Sequence, residues 1–143
     1  MADNTMPIRI VIAEDNTADV MLVREALNAH QIPFEITHLK DGAEAVATLS
    51  ANQPGWNNPD LILLDLNMPK VGGLEVLSAI RKNAAFNDVP IIVLTSSPAP
   101  EEQQAARRLG VVHYLQKPSD LYEFIEQVGG AIQEVIRQRH PCG

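Results

Sequence analysis

Short apolar runs separated by longer amphipathic stretches recur along the whole chain. Runs of this length with Ile, Val and Leu on both faces are typical of parallel strands that are covered on both sides. One run alternates between apolar and polar residues, which favours an edge position in the sheet. The predicted strands are Ile8–Ala13, Phe34–Leu39 (the alternating one), Asp60–Leu64, Pro90–Leu94 and Val111–Leu115.

Helical spacing of apolar residues follows each of these runs. The first two helices are preceded by pairs that resemble capping boxes, and the fourth should end at Gly110, because glycine accepts the left-handed conformation that ends many helices. The predicted helix starts are Asn16 with Asp19, Asp41 with Glu44, Gly73, Pro100 and Leu121.

The last predicted helix has two unusual features. Gly129-Gly130 should interrupt it, because each glycine costs about 1 kcal/mol relative to alanine. Its apolar stripe continues through Ile132, Val135 and Ile136. We expect this stripe to be covered either by a partner molecule or by packing back on the first helix.

Strand and helix therefore alternate five times, which predicts βαβ units and a parallel sheet. Right-handed crossovers leave few topologies. We expect one α/β domain over residues 1–143, with a doubly wound five-stranded sheet of order 2-1-3-4-5 and helices on both faces. Such sheets bind ligands beyond the carboxyl ends of their strands where the strand order reverses, here between strands 1 and 3.

Composition narrows the functional classes. The 143 residues include 18 acids and 11 bases, for a net charge of −7, which argues against a nucleic-acid or anionic-membrane surface. Aromatic residues make up only 4%, and no apolar run exceeds four residues, so neither base stacking nor a membrane span is expected. The single cysteine, Cys142, fits a reducing compartment. We expect a soluble, cytoplasmic protein.

Three carboxylates are predicted to meet at the switch point. Glu14 and Asp15 follow the first strand, and Asp65 follows the third. Like charges in contact repel, so one of them should take up a proton unless a cation is bound. Magnesium suits this set, because it uses one or two carboxylates and accepts phosphate oxygens. The alternative is that these acids are solvated loop residues or helix caps.

A hydroxyl and a cation are predicted at the same edge. Thr95 follows the fourth strand, and Lys117 follows the fifth. Taken alone, Thr95 could equally be a capping or turn residue, and Lys117 would more often be an ordinary surface lysine. Together with the carboxylates, they match phosphoryl transfer onto a carboxylate.

These segments resemble the receiver domain of bacterial two-component response regulators. They occur in the order and spacing of that family, over about residues 7–138, and look most like the subfamily that partners phytochrome-type sensor kinases. The matching segments are Ile10–Asn16, Asp60–Lys70, Val93–Ser97 and Tyr114–Pro118. The fold implied is the flavodoxin-like arrangement already predicted.

The resemblance implies a role for each matching residue around the metal. Asp65 is the phosphoacceptor and a ligand of Mg²⁺. Asp15 binds the metal directly, Glu14 binds it through water, and Asn67 contributes its backbone carbonyl. Glu14 departs from the family pattern, in which many members have Asp.

The resemblance also implies a switch. Thr95 is the hydroxyl that follows the phosphoryl group, Lys117 pairs with the phosphoryl oxygens, and Tyr114 is the aromatic switch residue. Gly72 stands where the family usually has Asp, at a cost of only a few tenths of a kcal/mol as an N-cap.

The function implied is that of a stand-alone response regulator. A sensor histidine kinase phosphorylates Asp65, and the switch is displayed on the face of helix 4, strand 5 and helix 5, where a homodimer also forms. The protein is not a conventional enzyme, although it catalyses its own magnesium-dependent phosphorylation and dephosphorylation. The alternative is a phosphorelay intermediate that passes the phosphoryl group to a histidine phosphotransfer protein.

Two other classes share parts of this pattern. A phosphatase of the haloacid-dehalogenase type would have a second acid two residues after Asp65, where this chain has Asn67. A flavodoxin-like nucleotide binder would have a loop rich in Gly, Ser or Thr after the first strand, where this chain has Glu14-Asp15. Both departures favour the receiver interpretation.

Overall fold

The computed structural model describes residues 7–49, 59–68, 71–96 and 99–139. Strands and helices alternate through these ranges, as predicted. The strands are β1 (Ile8–Ala13), β2 (Phe34–Leu39), β3 (Leu61–Leu64), β4 (Ile91–Thr95) and β5 (His113–Gln116). The helices are α1 (Thr17–Ala29), α2 (Gly42–Leu49), α3 (Gly73–Lys82), α4 (Pro100–Arg108) and α5 (Leu121–Arg139), with a 3-10 turn at Ala84–Phe86.

The five strands form one parallel sheet of order β2-β1-β3-β4-β5, which confirms the predicted topology. The bounds of β1 and β2 match their predictions, whereas β3, β4 and β5 begin one or two residues later than expected. The late start of β5 has a clear cause, because the amide of Val111 still donates to the Ala106 carbonyl and so closes α4.

Two apolar layers enclose the sheet. One face packs against α1 and α5, and the other packs against α2, α3 and α4. Every residue of β3 and β4 is buried, which is why these strands lack alternation in the sequence. The edge strand β2 alternates, as expected.

The glycine pair does not interrupt α5, so that prediction was wrong. The helix runs from Leu121 to Arg139 without a break. Gly129 lies against the ring of His30 at the end of α1, and a Cβ at this position would overlap that ring. The His30 ring is itself held by a 3.2 Å hydrogen bond from its Nε2 to the Ile125 carbonyl. Gly130 has no heavy atom within 4 Å of where a Cβ would lie.

The apolar stripe of α5 is covered within the molecule. Ile132 and Val135 are buried, and Ile136 packs against the same cluster, which includes Val20, Val23 and Leu27 of α1. Of the two coverings predicted for the stripe, packing on the first helix is the one observed.

Candidate functional site

The carboxyl ends of four strands bring the predicted side chains to one edge of the sheet. Glu14, Asp15 and Asp65 each offer a carboxylate oxygen, and these atoms lie within 4.8 Å of one another. Glu14 and Asp65 are buried, whereas Asp15 is exposed. β1 and β3 are hydrogen-bonded neighbours, and the Asp65 amide donates to the Ala13 carbonyl. The switch point therefore collects the three acids as the topology predicted.

Both carboxylate oxygens of Asp65 are occupied by donors. Oδ1 accepts a 2.9 Å hydrogen bond from the backbone amide of Asn67. Oδ2 lies 3.2 Å from the ammonium of Lys117. These two contacts fix the orientation of a carboxylate whose residue is only 5% exposed.

Lys117 lies among three carboxylates. Its Nζ is 2.7 Å from Asp19 Oδ2, 2.9 Å from Glu14 Oε1 and 3.2 Å from Asp65 Oδ2. Burial acts against the charged form of Lys117, but the hydrogen bonds to Asp19 and Glu14 outweigh it and raise its pKa above the usual value. The ammonium therefore stays charged at any physiological pH.

Glu14 is the acid of the cluster that takes up a proton, but like-charge repulsion is not the main reason. The pKa of Glu14 is raised from 4.5 to about 8, chiefly by burial and to a lesser extent by the neighbouring Asp65, against the opposing effect of Lys117. Burial is the larger cause, so desolvation matters more here than like-charge repulsion. At neutral pH and without a cation, Glu14 holds a proton.

The backbone of Glu14 is tied to β2 by two hydrogen bonds. Its amide donates to the Leu39 carbonyl at 3.0 Å, and its carbonyl lies 2.6 Å from His38 Nε2. Because a carbonyl can only accept, Nε2 of His38 carries the hydrogen. His38 has no metal-ligand spacing in the sequence, and only the pairing of β1 with β2 reveals its role.

Thr95 and Tyr114 lie beside the acids on the next two strands. Thr95 is fully buried, and its Oγ1 accepts a 2.9 Å hydrogen bond from Asn67 Nδ2. The ring of Tyr114 packs against the core on the α2–α4 side. Its hydroxyl is buried and has no hydrogen-bond partner among the described residues, and burial raises its pKa.

The donor set fits a hard divalent cation. Carboxylate oxygens are the protein ligands that magnesium prefers, and an exposed Asp15 beside two buried acids leaves room for the waters that it retains. The fourth predicted ligand is the backbone carbonyl of Asn67. This residue is held in the site because its amide donates to Asp65 and its side chain donates to Thr95.

Asp19 is the site residue that the sequence did not reveal. Its spacing from Asn16 is typical of a capping box, but the two residues act differently in the structure. Asn16 Oδ1 accepts from the Ala18 amide and caps α1, whereas the Asp19 carboxylate contacts Lys117. Residues Pro69, Lys70 and Ser97 of the matching segments, and Cys142, lie outside the described residues.

Comparison with known proteins settles the family. The family model of the response regulator receiver domain matches residues 10–129. The chain belongs to this family. Among curated relatives, the response regulator Rcp1 of Synechocystis sp. is 38% identical over 133 residues, which cover 91% of this chain and 90% of Rcp1.

Solved structures agree with the receiver assignment. The phosphorylated cyanobacterial phytochrome response regulator RcpA superposes with a TM-score of 0.84 at 33% identity, over 93% of this chain and 96% of RcpA. The Mn²⁺-bound form of Rcp1 gives a TM-score of 0.78 at 38% identity, over 87% of this chain and 91% of that chain.

Among the described residues, no helix is both long and apolar enough to cross a membrane.

Proposed function

We propose that this receiver domain takes a phosphoryl group onto Asp65 from the phosphohistidine of a sensor kinase. One observation carries the proposal: a buried carboxylate is held by the Asn67 amide and the Lys117 ammonium beside two further acids. An exposed surface acid would have none of these partners. This chain covers 90% of Rcp1, and the proposed receiver domain has a core of about residues 7–138.

The proposed reaction is an in-line substitution at phosphorus. An oxygen of Asp65 forms the new O–P bond, the N–P bond of the phosphohistidine breaks, and the departing imidazole nitrogen takes a proton from water. Lys117 offsets the charge on the phosphoryl oxygens. Asp15, Asp65 and the Asn67 carbonyl would hold Mg²⁺ directly and Glu14 would hold it through water, and the ion would supply further positive charge to the crowded acids.

In this proposal, Thr95 and Tyr114 transmit the change. The hydroxyl of Thr95, bound to Asn67 in the structure, turns to donate to a phosphoryl oxygen. Its movement alters the space that the Tyr114 ring occupies between β5 and α4, and hence the surface of α4, β5 and α5.

The proposed phosphoryl donor is a phytochrome-type histidine kinase. RcpA is described as a phytochrome response regulator, and this chain follows it over nearly its whole length. Rcp1 and RcpA are both named as response regulators, which favours direct output over onward transfer to a histidine phosphotransfer protein.

The phosphoacceptor assignment is tested by labelling with acetyl phosphate and Mg²⁺. Intact-protein mass spectrometry should show one added phosphoryl group in the wild type and none in Asp65→Asn. Asp60→Asn, which changes an acid at the amino end of β3, is the matched control and should be labelled normally. Equal labelling of Asp65→Asn would contradict the assignment.

We also propose that the phosphorylated form dimerises through the face of α4, β5 and α5. Leu121 and Tyr122 at the start of α5 are 57% and 71% exposed, and they supply the apolar surface that the stripe of α5 does not. Light scattering with beryllofluoride should show a dimer in the wild type and a monomer in Tyr122→Glu. A monomeric wild type at tens of micromolar would contradict this proposal.

A further inference from the structure

Lys117 contacts three acids, and phosphorylation would change some of these contacts and leave others in place. An ammonium has three donors, and here all three are used. The shortest contact, 2.7 Å, is to Asp19, which none of the matching segments includes. The other two contacts are to Glu14 and Asp65.

Asp19 is available for this contact because Glu14 takes over its capping role. In a capping box, the third helical residue accepts a hydrogen bond from the N-cap amide. Here the amide of the N-cap residue Asn16 donates to Glu14 Oε2 at 3.2 Å instead. Asp19 therefore turns towards the site, and its charge is favoured by its place in the first turn of α1.

The two other partners of Lys117 are engaged by the chemistry itself. Glu14 belongs to the cluster that suits a metal, and Asp65 loses the charge of its carboxylate when the acyl phosphate forms. Asp19 does neither. It is partly buried, with 19% of its side chain exposed, so its contact with Lys117 is only weakly screened by water.

We propose that Asp19 is a positioning residue that anchors the Lys117 ammonium at the phosphorylation site in every state of the cycle. With one donor always held by Asp19, the others point at Asp65 and at the phosphoryl oxygens that Asp65 carries. The inference rests on the proposed function of Asp65 and adds a residue to its machinery.

The first test compares Asp19→Asn with Glu25→Gln, which makes the same change in charge on the exposed side of α1. We expect beryllofluoride affinity and the rate of labelling by acetyl phosphate to fall roughly tenfold in Asp19→Asn, because the contact with Lys117 loses its negative charge and a hydrogen bond to a neutral acceptor is weaker. Magnesium affinity should change less than threefold, and Glu25→Gln should match the wild type. An Asp19→Asn protein that matches the wild type in both assays would overturn the inference.

A double-mutant cycle separates action through Lys117 from a general structural effect. In the Lys117→Met background, Asp19→Asn should have no further effect on beryllofluoride affinity or labelling rate. A tenfold loss that persists in this background would overturn the positioning role. Absence of any label in the wild type would instead overturn the proposed function of Asp65, so the two failures are distinguishable.

Discussion

The two ends of α1 are attached to the rest of the molecule by different physics. At the first end, the Asp19 carboxylate binds the Lys117 ammonium, and the Asn16 amide binds Glu14. At the last end, the His30 ring lies on Gly129, where a Cβ has no room. Charged contacts hold the first end of α1, and close packing holds its last end.

The difference places a contact that is sensitive to pH and to bound ions at one end of the helix and a contact that depends on close packing at the other. The charged end combines charged groups that are costly to bury, so its stability should change when a cation or a phosphoryl group binds nearby. The His30 ring at the packed end makes a hydrogen bond to the Ile125 carbonyl but no ion pair among the described residues, and its close fit fixes the position of α1 against α5. Stability losses should therefore depend on pH and metal for substitutions at the charged end, but not for substitutions at the packed end.

The largest expected effect is at the charged end. Lys117→Met removes the only ammonium among the described residues that contacts these acids, and it leaves buried acidic groups without a counter-ion. We expect about 3 kcal/mol of stability to be lost at pH 9 without metal, and less at pH 6, where the acids take up protons. Urea unfolding at the two pH values measures this loss. Lys40→Met, which removes an exposed lysine, is the control, and an equal loss in both variants would break the comparison.

At the packed end, Gly129→Ala should cost about 2 kcal/mol. The added methyl group displaces the His30 ring from the Ile125 carbonyl, and this overpacking outweighs the roughly 1 kcal/mol gained in helix propensity. Thermal unfolding measures the loss, and magnesium affinity should be unchanged. A variant with normal stability but impaired metal binding would reverse the roles assigned to the two ends.

The charged end should also respond to pH. Folded Glu14 keeps its proton up to about pH 8, whereas the ordinary pKa of a glutamate is 4.5. Without metal, stability therefore falls as the pH rises through this window, because ionising the buried group is costly. Magnesium favours the ionised form, so its affinity should rise between pH 7 and pH 9, by up to about tenfold per pH unit.

Titration of Mg²⁺ by calorimetry at several pH values measures this dependence. Glu14→Gln removes the titrating group and should flatten the profile. A wild-type affinity that is constant from pH 7 to pH 9 would show that Glu14 is ionised throughout.

The smallest effect is expected one residue from the packed contact. Gly130→Ala places a methyl group where no heavy atom lies within 4 Å, so the helix gains propensity without a clash. We expect a gain of about 0.5–1 kcal/mol. Alanine should thus lower stability at Gly129 and raise it at Gly130. Thermal unfolding of both variants tests this difference.

The sequence predicted the fold because its signals were local. The buried runs of β3 and β4 and the turn at Gly110, with φ of 81°, are each determined by neighbours along the chain. The cluster of three acids was predictable because the topology fixes which strand ends meet. The contact of Asp19 with Lys117 spans 98 residues, and that of His30 with Gly129 joins two helices, so no local pattern encodes either.

The separation of these residues along the chain also bears on the order of folding. Glu14, Asp19 and Asp65 are synthesised well before Lys117, and a growing chain that ends within α4 carries the acids without their ammonium. Pairing over 52 and 98 residues requires the closure of long loops, which is slow relative to helix formation. We therefore expect the acidic edge to be completed only when β5 docks against β4 and brings Lys117 to the acids.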